Sequence, residues 1–137
     1  MPAFDHCHEQ VVRALQKDGW TVVQSPASLF TIFRHAFVDL EMSRGMNGRQ
    51  ETGLFVEVKC FPDPDNTTRD LYTSIGQYLV YRAMLIELEE TSPLYLAVPL
   101  KIFETIFDSS VVRVIQESQI RIVVVDLVTE TIDKWIK

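Results

Sequence analysis

Asp39 stands in the apolar run Phe37-Val-Asp-Leu40, and Glu57 and Lys59 stand in Val56-Glu-Val-Lys-Cys60. Side chains alternate across a strand, so Glu57 and Lys59 share one face while Val56, Val58 and Cys60 share the other. If that strand is interior to a sheet, a carboxylate and an ammonium are held where solvation is poor. That is costly unless they pair or hold an ion. A hairpin between the two strands would bring Asp39 beside Glu57, with Cβ atoms about 5 Å apart. Two adjacent carboxylates repel each other and ionise together only beside a cation. Mg²⁺ (or Mn²⁺) suits such a place, being hard, oxygen-loving and content with one or two carboxylates plus waters. Lys59 would then stand beside the ion, where it could help activate water and offset charge on a phosphate. Taken alone, Glu57-x-Lys59 fits a half-exposed strand with an exposed ion pair better, because so short a motif recurs by chance.

Two further groups extend this set. Gln77 and Tyr81 lie one helical turn apart on the flank of an apolar stripe, and can aim an amide and a phenol at whatever lies over the sheet. Glu9 sits next to the apolar face of the first helix and could reach the same ion; its plainer role is a solvated carboxylate. The strip His6-Cys7-His8-Glu9 contains zinc-ligating types, but adjacent helical residues point about 100° apart and do not converge on one ion.

The elements that must position these groups follow from periodicity. A first helix, capped by Asp5, carries His8, Val11, Val12 and Leu15 on one face and Arg13, Gln16 and Lys17 on the other, and ends at Gly19. Strands are predicted over residues 20–24, 37–42 and 54–61, with a short one at 30–33. Residues 44–53 are Gly-rich and read as a polar hairpin loop; they lack the Gly-Lys-Ser/Thr end of a phosphate loop. After the turn cluster at 62–66, a long helix over about 68–89 carries the stripe Leu71, Ile75, Tyr78, Leu79, Leu85 and Ile86. Residues 94–99 and 121–126 are apolar enough for strands buried on both faces. Between them lie a helical turn at 101–107 and a helix capped by Ser109 or Ser110 that runs to about Ser118, while 131–137 is ambiguous. The front half suggests an antiparallel meander and the back half parallel crossovers. The expected class is α/β (α+β), a mixed sheet flanked by helices.

At 137 residues, 47% of them hydrophobic, the chain suffices for one compact domain over 1–137. Thirteen Lys+Arg against nineteen Asp+Glu give a net charge of −6, which excludes a nucleic-acid binder working by bulk charge. Contact with DNA would need a local basic patch, a metal ion or a partner. Cys7 and Cys60 are too few for a disulfide framework and read as small buried hydrophobes in a reducing compartment. No apolar run at the start resembles a signal peptide, and the most apolar stretch, 120–128, is interrupted by Arg121 and Asp126. A cytoplasmic protein with no membrane contact is expected.

Asp39, then Glu57-x-Lys59 on the next strand, then Gln77-x-x-x-Tyr81 on the following helix resembles the PD-(D/E)XK nuclease superfamily, and the last element its RecB-type exonuclease branch. Longer stretches are similar to the XisH family, the fdxN-element excision controlling factors of cyanobacteria. These are His8-Glu9, Ala14-Leu15, Lys17-Asp-Gly-Trp-Thr21, Val38-Asp-Leu40, Val56-Glu-Val-Lys59, Gly76-Gln-Tyr-Leu79 with Tyr81-Arg82, and Leu94-Tyr-Leu-Ala-Val-Pro-Leu100. The resemblance implies a restriction-endonuclease-like fold and an accessory role in programmed excision of a DNA element. In that family a separate recombinase exchanges the strands, and a small companion protein, XisI, is the expected partner. The superfamily roles would make Asp39 and Glu57 metal ligands with Glu9 auxiliary, Lys59 the water-activating or charge-stabilising group, and Gln77 with Tyr81 the groups that position the DNA strand. Val38 stands where a proline often precedes the aspartate. Two other readings accompany the accessory one. The first is an active Mg²⁺- or Mn²⁺-dependent DNA endonuclease. The second is a non-catalytic protein-interaction module on a decayed nuclease fold. A homodimer through Phe103, Ile106 and Phe107 is a further expectation, though the same residues could be core.

Overall fold

A computed structural model describes residues 6–45 and 52–137 of the chain. Asp5, Arg49 and most of the Gly-rich loop lie outside the described residues. The helices are α1 (His8–Lys17), α2 (Thr67–Glu87), α3 (Leu100–Ile106) and α4 (Ser109–Glu117). The strands are β1 (Thr21–Gln24), β2 (Ala27–Phe30), β3 (His35–Val38), β4 (Leu40–Arg44), β5 (Thr52–Val58), β6 (Leu94–Pro99), β7 (Ile122–Asp126) and β8 (Thr131–Ile136). Six strands form one sheet in the order β1-β4-β5-β6-β7-β8, and β2-β3 form a separate hairpin. The first two pairings and the last are antiparallel. The two central ones, β5–β6 and β6–β7, are parallel.

Parallel neighbours need a long return, and α2 supplies it between β5 and β6, while α3 and α4 supply it between β6 and β7. Covering both faces explains why every residue of β6 is buried. On one face α1 lays Val11, Ala14 and Leu15 on Leu40, Met42, Leu54, Val56 and Val58. On the other, α2, α3 and α4 cover Phe55, Leu96, Val98, Ile122 and Val124. Alternation along β5 therefore turns Val56 and Val58 toward α1, and Phe55, Glu57 and Lys59 toward α2. Tyr78 fixes α2 to that face. It is fully buried, its hydroxyl donates to the Leu94 carbonyl (2.7 Å), and it accepts from the Arg121 N–H (3.1 Å). Arg82, one turn on, lies over the Tyr78 ring and donates to the carbonyls of Ser118 and Gln119 at the end of α4.

Several local expectations are corrected. Residues 37–42 are not one strand, because the chain leaves the six-stranded sheet at Asp39 and continues backward as the β2–β3 hairpin. Residues 30–33 are the tip of that hairpin, where Thr31 N–H donates to the Arg34 carbonyl. The ambiguous tail is edge strand β8. Asp108, rather than Ser109 or Ser110, caps α4 by accepting from Val111 N–H. Ile86 is exposed, not in the inner stripe of α2. Phe103, Ile106 and Phe107 pack on the core, so they are not a free interface. Cys7 and Cys60 are not separate thiols but a disulfide that ties the start of α1 to the end of β5. No helix among the described residues is long and apolar enough to cross a membrane.

Candidate functional site

Asp39 occupies the bend where the chain passes from β3 to β4. The β4–β5 register pairs Leu40 with Val56, so one further step sets Asp39 against Glu57. Ladder hydrogen bonds are replaced there by side-chain ones. Asp39 N–H donates to Glu57 Oε1 (3.1 Å), and Val58 N–H donates to Asp39 Oδ2 (2.8 Å). Ser25, where β1 gives way to the hairpin, donates its hydroxyl to the Asp39 carbonyl (3.0 Å). Lys59 follows the last residue of β5, its backbone still held by the Ala97 carbonyl, and its Nζ lies 3.8 Å from Glu57 Oε2. The three groups therefore meet at the carboxyl ends of β5 and β6, the end of an open α/β sheet where ligands bind.

Burial dominates the electrostatics. Glu57 is 5% exposed. Desolvation first, and then the charge of Asp39 and the hydrogen bond with it, push the Glu57 carboxyl up to about 8 against the partial offset of Lys59. Asp39 is also raised by burial, less so because Val58 N–H and Glu57 stabilise its charge. The pair accordingly keeps a proton between its members near neutral pH. Tyr81 of α2 faces them: burial raises its phenol, and the charges of Glu57 and Asp39 raise it further. Gln77, one turn earlier, is half-buried, and its amide oxygen is enclosed with no hydrogen-bond donor among the described residues.

The structure does not bring Glu9 to this pair. Glu9 is exposed on α1 and its charge bears on Arg13 instead. The preceding residue, His8, is buried, lies 3.4 Å from Ser25 Oγ through Nε2, and is close enough for its charge to lower the Asp39 carboxyl. His8 and Ser25 are thus the neighbours that sequence reasoning missed as site residues. The signal was available for His8, which shares its helix face with Val11 and Leu15.

Two carboxylates from adjacent strands that cannot both ionise unaided suit a hard divalent cation. No group of three or more His, Cys, Asp or Glu side chains completes a metal cluster among the described residues. What the fold brings together is two carboxylates and one ammonium, short of such a cluster.

The XisH protein family model matches residues 1–133 of the chain. The chain belongs to the XisH family. A crystal structure of an XisH family protein from Nostoc punctiforme PCC 73102 is similar to it at 29% identity, with a TM-score of 0.87 over 97% of this chain and 100% of that one. A crystal structure of a fdxN element excision controlling factor protein from Anabaena variabilis is similar at 32% identity, with a TM-score of 0.84 over 95% and 97% of the two chains. No curated protein matches the sequence. Membership agrees with the mixed sheet flanked by helices. It also gives context to Tyr78, Arg82 and the 94–100 run, which join α2 to the centre of the sheet.

Proposed function

We propose that this XisH family member is an accessory controlling factor for programmed excision of a DNA element, with a divalent-cation site at Asp39 and Glu57 in a restriction-endonuclease-like fold. The observation that carries this reading is the pair of backbone N–H donors, Asp39 to Glu57 and Val58 to Asp39, that fix the two carboxyls beside Lys59. The accessory role rests on similarity to the Anabaena variabilis excision controlling factor and on charge. The chain carries −6, and Arg13, Arg44, Arg82 and Arg113 are already committed to Glu130, Asp18, backbone carbonyls and Glu117. A chain so charged engages DNA alongside a partner that supplies basic surface. DNA and an XisI-like protein are its partners in this reading.

Asp39 and Glu57 would hold Mg²⁺ or Mn²⁺, which when bound supplies positive charge to a phosphodiester and makes water more acidic. Lys59 adds a second cation at the same edge, Tyr81 presents a phenol to it, and the Gln77 amide can accept from a substrate donor. These same groups favour a second reading, a metal-dependent DNA endonuclease. Excision of a marked element in cells tests the first. Asp39→Ala and Glu57→Gln should each lower its frequency about tenfold or more, the scale on which losing a metal ligand acts. Unchanged frequency in both variants would leave the fold acting through protein contacts alone. Nicking of supercoiled DNA by the purified chain with Mn²⁺, lost in Lys59→Ala, would favour the enzyme.

A further inference from the structure

The end of the sheet opposite the acid pair holds a cleft of another character. It opens where β6 and β7 begin and β4 and β8 end, and its volume is about 790 Å³. Small-molecule sites span roughly 300–1,000 Å³. Part of its lining is aromatic. Trp135, half-buried on β8, meets the ring of Tyr95 edge to face at 5.0 Å and lies 6.2 Å from that of Trp20. Trp20 and Tyr95 are themselves buried, and Arg44 lies over the Trp20 ring, so Trp135 is the ring that offers surface.

The rest of the lining is cationic. Arg44 is offset by Asp18, 3.4 Å away. Arg82 and Arg121 form no ion pair among the described residues. Both adjoin Tyr78: the Arg82 guanidinium lies over its ring, and the Arg121 N–H donates to its hydroxyl. The Arg121 side chain is exposed and close enough for its charge to act on the Tyr95 phenol. Arg82 donates through Nη1 to the neutral carbonyls of Ser118 and Gln119. They fix the guanidinium in place, leave its charge uncancelled, and leave Nε and Nη2 to donate elsewhere. Among the described residues, Glu90 is the one further carboxylate that lines the cleft. A chain of net charge −6 has carboxylates to spare, yet it leaves two arginines unpaired beside an accessible indole. Forked guanidinium donors match the oxygens of a phosphate, and an indole face suits a planar base. A nucleotide carries both.

We infer that this cleft binds a nucleotide, its phosphate held by Arg82 and Arg121 and its base against Trp135. The site is separate from Asp39 and Glu57 and does not depend on a cation there. A free nucleotide and the last nucleotide of a single strand offer the same chemistry, and the test separates them. Trp20 and Trp135 are the only tryptophans of the chain and both line the cleft, so their emission reports on it directly. Deoxyadenosine monophosphate is titrated into the purified full chain in EDTA, with excitation at the red edge where the base does not absorb. A saturable change at one nucleotide per chain is expected. Deoxyadenosine and inorganic phosphate, each holding half of the chemistry, should bind at least about tenfold more weakly, and Arg121→Ala should weaken the nucleotide by a similar factor. Arg121 is exposed and serves Tyr78 only through its backbone, so the variant should keep the wild-type thermal profile. A short oligodeoxyadenylate with a terminal phosphate then assigns the source: tighter binding than the mononucleotide means a strand end, equal or weaker binding a free nucleotide. Emission that does not change or does not saturate overturns the inference. So does equal binding by Arg121→Ala, or by deoxyadenosine or phosphate alone.

Discussion

Glu57 is the residue on which most of this chemistry turns. Folding raises its carboxyl from 4.5 to about 8, so the folded chain holds a proton that the unfolded chain releases. A raised carboxyl contributes stability that is complete below the unfolded value and lost as pH climbs through the folded one. The metal-free protein should therefore weaken between about pH 4.5 and pH 8, by an amount on the order of a few kcal/mol. Urea midpoints across that range should fall for the wild type and stay nearly level for Glu57→Gln. Asp39, Glu57 and Lys59 were legible in the sequence because charged residues at alternate positions of apolar strands have few places to go. Glu9 was expected beside the pair; it is exposed on α1, while His8 is buried. A helical step of 100° separates it from His8, and the same periodicity that places His8 with Val11 and Leu15 turns Glu9 outward.

At the scale of elements, α2 is held to the sheet from one side. Its inner face is pinned by Tyr78, whose hydroxyl satisfies the Leu94 carbonyl and the Arg121 N–H at the starts of two central strands. Tyr78→Phe keeps the ring and orphans both, so it should cost about 1–3 kcal/mol in denaturant unfolding. The disulfide is the other long-range tie, closing a separation of 53 residues. Cys7→Ser with Cys60→Ser should lower stability by about 3–4 kcal/mol, read from guanidinium unfolding against the oxidised wild type. The strands and helices were largely legible from period two and period 3.6. The break at Asp39 was not, because moving from one sheet to another is decided by tertiary pairing and leaves the local alternation intact. The cysteine pair was hidden for a similar reason, since nothing local to Cys7 points to Cys60.

For the whole molecule, mixed topology explains where the site lies. The antiparallel entry, β4 to β5, carries Asp39 to the end of the sheet at which parallel β5 and β6 finish, and α2 returns across that end with Tyr81 and Gln77. The net charge of −6 keeps the chain from binding DNA by charge alone, so affinity for a bare duplex should be weak at physiological salt. Gel-shift titrations should show binding strengthen when a divalent cation is added, and that gain should vanish in Asp39→Ala. The most direct test of the central claim is a calorimetric Mn²⁺ titration of the purified chain and of Asp39→Ala. One ion per chain bound by the wild type, and none by the variant, is the predicted result. A wild type that takes up no Mn²⁺, or a variant that binds it equally well, would contradict the account.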